Sequence, residues 1–134
     1  MKKIIGIVLI MIAFCFPIMI EAKTKNGFYA DDEVELNEEI DATTFIAGNN
    51  IEVNSKINGL NFVAGNNIEL SSTQDYLFTA GNNINVNKVN AKDAFFAGST
   101  IRIKESNIRD LYVAGSVIKI NSNIERNAYI GGEK

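Results

Sequence analysis

The stretch FIAGNNIEV, Phe45 to Val53, returns as FVAGNNIEL at Phe62 to Leu70 and as FTAGNNINV at Phe78 to Val86. It continues more loosely as FFAGSTIRI, Phe95 to Ile103, and as YVAGSVIKI, Tyr112 to Ile120. With the alanine before the glycine taken as the start, units begin at Ala30, Ala47, Ala64, Ala80, Ala97, Ala114 and Gly131, spaced 17, 17, 16, 17, 17 and 17 residues apart. Self-similarity at a fixed short period is the signature of a solenoid, in which each unit buries its apolar face only against the next. The first unit (ADDEVEL) is divergent and the last (GGEK) is brief, as expected of terminal units.

Inside a unit the hydrophobic period is two. Ile51 and Val53, Ile68 and Leu70, Ile84 and Val86, Ile101 and Ile103, Ile118 and Ile120 all alternate with polar residues. Alternation in β-branched residues reads as a half-buried strand. A third apolar position wanders through Ile40, Ile57, Val89, Ile108 and Ile124, among Gly, Asn, Asp, Ser and Lys. Those intervening residues are turn formers, and no window beyond residue 22 supports a helix. Three short strands per unit have one economical arrangement: each pairs in parallel with its counterpart one winding on, about 4.8 Å away. The expected fold is all-β, a single-stranded parallel β-helix of about six 17-residue coils over residues 30–134, roughly 30 Å long. Spacings of 17 and 16 without a hexad argue against the left-handed hexapeptide class.

The repeated GNN then has a structural reading. Gly48, Gly65, Gly81, Gly98 and Gly115 stand where the chain turns a corner, and glycine adopts positive φ without steric cost. Asparagines stacked on successive coils can bond amide to amide along the axis. The two candidate ladders are Asn49, Asn66 and Asn82, and Asn50, Asn67 and Asn83. An aromatic stands two residues before each unit: Phe45, Phe62, Phe78, Phe95, Tyr112 and Tyr129. Strict alternation puts each aromatic on the same face as its alanine, and the reading favoured is that both point inward. The other arrangement is a ladder of exposed rings.

The recurring F-x-A-G-N-N-I-x-V-N, with I-N-G-x-x-F-V-A-G between, resembles the bactofilin-type family of polymer-forming cytoskeletal proteins over Ala30 to Gly132. The resemblance implies a right-handed β-helix that assembles end to end without nucleotide into non-polar filaments, which scaffold other proteins near a membrane. This chain departs from the typical family member in carrying an export signal, which makes it more similar to the exported relatives.

That signal is the apolar run Ile4 to Ile20 behind Lys2 and Lys3, with small Ala22 at the end. It reads as a secretory signal peptide over 1–22, followed by a linker over 23–29. An uncleaved anchor is the competing reading, because 17 apolar residues are at the short limit for spanning a bilayer. Cys15, the single cysteine, is preceded by bulky Phe14 and followed by apolar residues, which does not suit a lipidation site. The chain is therefore expected to be extracytoplasmic, either secreted or membrane-associated, with no disulfide beyond the signal.

The chain has 13 basic residues, 16 acidic residues and no histidine. Removing 1–22 takes away two lysines and one glutamate, for a net charge of about −4, which opposes a nucleic-acid partner. Without histidine or a mature cysteine, most nucleophilic triads and zinc sites are excluded. No catalytic residue, cofactor, metal site or small-molecule substrate is expected. Asp31, Asp32, Glu33, Glu35, Glu38, Glu39 and Asp41 crowd the first unit. They read either as a charged end cap over an open strand edge or as a calcium site. A basic finish (Arg102, Lys104, Arg109, Lys119, Arg126, Lys134) against that acidic start could steer copies head to tail.

The function expected is a non-catalytic scaffold that self-associates through its coil ends, with possible membrane or cell-wall association. Ile118, Ile120, Tyr129 and Ile130 mark the better end, since the acidic first coil repels a copy of itself. The alternative is a monomeric carbohydrate-binding or adhesion module using the Phe/Tyr column.

Overall fold

Parallel pairing one repeat apart organises the computed structural model, which describes residues 27–134. The signal segment 1–22 and linker residues 23–26 lie outside the described residues. The elements are β1 (Phe28–Ala30), β2 (Glu33–Leu36), β3 (Thr44–Val53) and β4 (Ile57–Gly132). There is no helix among the described residues, so none there is long and apolar enough to cross a membrane.

The register is that of the repeat. β1 and β2 lie along one edge of β3, with Phe28 beside Phe45, Ala30 beside Ala47, Val34 beside Ile51 and Leu36 beside Val53. On the other edge β4 sets Phe62 beside Phe45, Gly65 beside Gly48, Asn67 beside Asn50, and Ile68 beside Ile51. A single bridge, Ile40 to Ile57, joins the third segments. β4 counts 76 residues, which as a straight strand would reach about 250 Å. It turns back on itself once per repeat instead, so that Phe62 and Phe78 stand with ring centroids 4.9 Å apart.

The core is made of columns of equivalent side chains. Ile51, Ile68, Ile84 and Ile101 are buried one above another, and beside them Val53, Leu70, Val86 and Ile103. A further column, Ile46, Val63, Thr79, Phe96 and Val113, is buried too. Its members sit between the aromatic and the alanine of each unit. The aromatics themselves therefore face outward, contrary to the inward expectation. The chain takes a corner between Ile46 and Ile51, both buried although five positions apart, so the inside–outside parity changes there.

Several polar side chains are buried too, and the largest group of them surrounds Gln74. Gln74, which occupies the slot of Ile57 one repeat on, is fully buried. Its Nε2 donates to the Ser55 carbonyl at 2.9 Å, and its Oε1 accepts from Asn61 Nδ2 at 3.0 Å. Gln74 thereby stabilises a buried Asn61 whose column is otherwise Thr44, Leu77, Ala94 and Leu111.

The glycines serve close approach, and the positive-φ reading fails for them. Among the described residues, positive φ in glycines is confined to Gly27 and Gly59; elsewhere it is found at Ser72, Lys88 and Glu105. Those three recur near the opposite corner of successive repeats. A Cβ on Gly81 would lie 2.6 Å from the Gly65 carbonyl oxygen and 2.8 Å from Ile68 Cδ1, and one on Gly65 2.5 Å from the Gly48 oxygen. Gly98 and Gly115 face their predecessors in the same way. Of the asparagine columns, Asn50, Asn67 and Asn83 form the ladder, Asn67 Nδ2 donating to Asn50 Oδ1 and Asn83 Nδ2 to Asn67 Oδ1, both at 2.9 Å. Asn49, Asn66 and Asn82 point to solvent with no amide-to-amide bond among them. Ladders not expected from the motif join Asn54 to Asn37 and Asn123 to Asn107.

Gly81→Ala forces apart two rungs of backbone, so its urea unfolding midpoint should fall by the equivalent of about 1–3 kcal/mol. Gly131→Ala, with nothing within 4 Å of the added Cβ, should stay within about 0.5 kcal/mol of the parent. Equal effects of the two would refute close approach as the reason for the glycine column.

Candidate functional site

The outward positions on either side of the buried Ile46 column define a continuous apolar surface along the repeats. On one side runs the aromatic column, extended downward by Phe28; on the other runs Ala30, Ala47, Ala64, Ala80, Ala97, Ala114 and Gly131. Between them the backbone of Ile46, Val63, Thr79, Phe96 and Val113 makes the floor. All of these sit on β1, β3 and β4, so the register of the sheet fixes their spacing.

Successive rings are stacked nearly parallel. Centroid separations run 4.9 Å for Phe28–Phe45 and Phe45–Phe62, 4.7 Å for Phe78–Phe95, 4.4 Å for Phe95–Tyr112 and 5.0 Å for Tyr112–Tyr129. Interplanar angles stay between 5° and 15°. Offset stacking of this kind contributes about 0.5–1.5 kcal/mol per pair beyond the buried area. It also decides what solvent sees: each internal ring has both faces against a neighbour and presents its edge. Among the described residues, the two end rings of the column keep an outer face uncovered, and Phe28 and Tyr129 are 61% and 57% exposed against 41% for Phe45.

Among the described residues, nothing covers the core share of the repeat from Ile118 to Ile130. Ile118, Ile120 and Ile124 are half-buried, whereas Ile101, Ile103 and Ile108, one repeat earlier, are fully buried. Ile130 is 56% exposed, while Val113 in the same column is 4% exposed. The four residues expected at the self-association end are thus together on one terminal surface.

The acidic first unit does not gather into a cation site. Among the described residues, no three carboxylates come together in a way that could hold a metal ion. Instead Glu35, Glu52 and Glu69 stand side by side in successive repeats, and like charges directly opposite are destabilising. Lys56 pairs with Glu39 at 3.1 Å, and Asn58 Nδ2 donates to both Glu39 and Asp41.

Beside the stripe a charge ladder climbs the C-terminal half. Lys92 pairs with Asp75 at 3.5 Å and lies 5.8 Å from the Tyr76 ring centroid. Arg109 bonds Asp93 at 3.0 Å and approaches Asp110 at 3.5 Å. Asp110 is buried and accepts from Arg126 Nη2 at 2.6 Å, Arg126 Nε at 3.1 Å and Asn127 Nδ2 at 2.9 Å. The Arg126 guanidinium holds the Asp110 carboxyl below its ordinary value, outweighing burial, which acts the other way; the Asn127 bond adds to it. The motif did not flag this ladder, although acid–base pairs at 16–17-residue spacing were available to do so. It staples successive repeats together.

No protein-family model, curated protein or solved structure matches the chain.

Because Asp110 has a folded-state pKa below its unfolded one, its contribution to stability is complete above the unfolded value. That contribution is lost as pH falls through the folded value. Below pH 3.8, the ordinary carboxylate value, hydrogen exchange should open residues 112–132 before residues 45–70. Asp110→Ala should open the same segment at neutral pH. Uniform loss of protection along the chain in both experiments would remove the staple role.

Proposed function

We propose that this chain is an exported parallel β-helix that serves as a non-catalytic scaffold at the cell envelope, self-associating end to end. The carrying observation is the surface of the last described repeat: among the described residues nothing covers Ile118, Ile120, Tyr129 and Ile130, whereas their equivalents one repeat earlier, Ile101, Ile103, Tyr112 and Val113, are covered. An unpaired strand edge beside an apolar surface is a template for another chain. A second copy docked there would pair its strand edge with this one and cover the exposed core cross-section. The coil pattern resembling the bactofilin-type family supports the same reading, and the apolar leader would bring such a polymer to the membrane.

The monomeric carbohydrate-binding module draws support from the exposed ring column. Sugars, however, bind aromatic side chains through the open ring face, and the internal rings of this ladder have no open face. A module of that kind would have only Phe28 and Tyr129 to work with. A glycan array tests it directly: binding by the parent that is lost in Phe28→Ala with Tyr129→Ala would favour this second reading, and no binding by the parent would count against it.

The full chain, purified in mild detergent, should lengthen into filaments as its concentration rises, equally with and without nucleotide, by electron microscopy and light scattering. Tyr129→Ser with Ile130→Lys changes only exposed side chains; it should leave the circular dichroism spectrum unchanged and abolish lengthening. A parent protein that stays monomeric at high concentration would overturn the proposal.

A further inference from the structure

We infer that the aromatic–alanine stripe is a lateral interface for a second copy of this chain, packed side by side in the same direction. The inference rests on the scaffold reading above but uses a different surface. Seven rungs of the stripe carry a large side chain and a small one at neighbouring outward positions: Phe28 with Ala30, Phe45 with Ala47, and so on to Tyr129 with Gly131. None of these residues is charged. Ring stacking accounts for the aromatics, but it does not require alanine beside them. Exposed strand positions ordinarily favour threonine, valine or isoleucine over alanine, and the alternation of a ridge with a groove is self-complementary.

Symmetry then selects the orientation. A two-fold axis parallel to the strand-stacking direction places the ring column of one copy opposite the alanine column of the other, at equal height on every rung. A two-fold axis across that direction would instead set rings on rings and leave a gap over the alanines. The flanking charges do not choose between the two, because Lys92, Arg109 and Arg126 already have carboxylate partners within their own chain.

The size of the surface fixes its strength. Seven rungs at about 4.8 Å and a width of two outward positions give a face about 30 Å by 10 Å. Two such faces cover about 600 Å², below the roughly 1,200 Å² of a stable standard interface. One pair of copies is therefore a weak dimer, whereas end-joined copies add such faces in series and gain by multivalency. Lateral pairing should accompany lengthening.

The test uses full chain carrying Cys15→Ser with either Ala47→Cys or Ala114→Cys and a thiol cross-linker of about 10 Å, the distance at which facing sheets pack. Each single-cysteine protein should cross-link to itself at high protein concentration, and a mixture of the two should give few 47-to-114 products. Predominant 47-to-114 products would overturn the same-direction packing, and no cross-link at either site would overturn the interface. Ala64→Lys with Ala97→Lys, both exposed, should cut self-cross-linking through position 47 at least about tenfold while circular dichroism is retained. Filaments of unchanged length but single width in that variant separate the lateral surface from the ends. Failure of the parent to lengthen would sink the end-to-end reading, and the cross-linking result would still decide the stripe. Retention of a glycan or of lipid vesicles by the stripe, lost in the lysine variant, with no self-cross-linking, would assign the surface to that occupant instead.

Discussion

Everything in this molecule follows from the close approach of each repeat to the one before it. Backbone meets backbone at the distance of a hydrogen-bonded strand pair, and at the Gly48 column even a methyl group would meet the preceding carbonyl. At that distance each residue's main neighbour is its own equivalent. Isoleucine meets isoleucine, amide meets amide and ring meets ring, so a favourable pairing is multiplied by the number of repeats. An unfavourable one is multiplied too, and the run Glu35, Glu52, Glu69 shows what happens where like charges are stacked. The chain relieves such conflicts by alternating sign from one repeat to the next, as Asp75 with Lys92 and Asp110 with Arg126 do.

That constraint explains which features could be read from the letters. The period, the parallel register and the Ile/Val/Leu columns were legible because identical spacing and identical neighbours are the same fact. The direction of the aromatics was not. Phe45 and Ile46 are both apolar, so alternation alone cannot say which points inward. The answer depends on the corner between Ile46 and Ile51, where parity shifts without a signal in composition. The glycines were legible as invariants of the repeat but not in their cause, since crowding and positive φ both demand the loss of a Cβ. The true left-handed corner, at Ser72, Lys88 and Glu105, carries no glycine. Gln74 escaped notice because a lone amide in an apolar column looks like surface until its bonds to Ser55 and Asn61 are seen.

The candidate surfaces were legible to a similar degree. Ile118, Ile120, Tyr129 and Ile130 could be named together because they are the highest-numbered members of their columns, and among the described residues no further repeat covers them. The groove beside the rings could not be named while the rings were read inward. Once they face outward, the alanines become visible as the other half of a two-column surface.

The ring column has a purely internal use, since six stacked pairs at about 0.5–1.5 kcal/mol each are enough to matter for a fold with no disulfide and a narrow core. Internal stability, however, explains only the rings. It would be served equally well, or better, by β-branched residues at the neighbouring positions, which shield backbone hydrogen bonds and suit strands. The chain holds alanine or glycine there on all seven rungs while allowing the buried position between to vary from isoleucine to valine, threonine and phenylalanine. A core-side column that takes five residue types, tyrosine at Tyr29 included, beside a surface column that takes only the smallest inverts the usual order of constraint. What the small column keeps clear is space above the sheet, and space above a sheet matters only to something that occupies it.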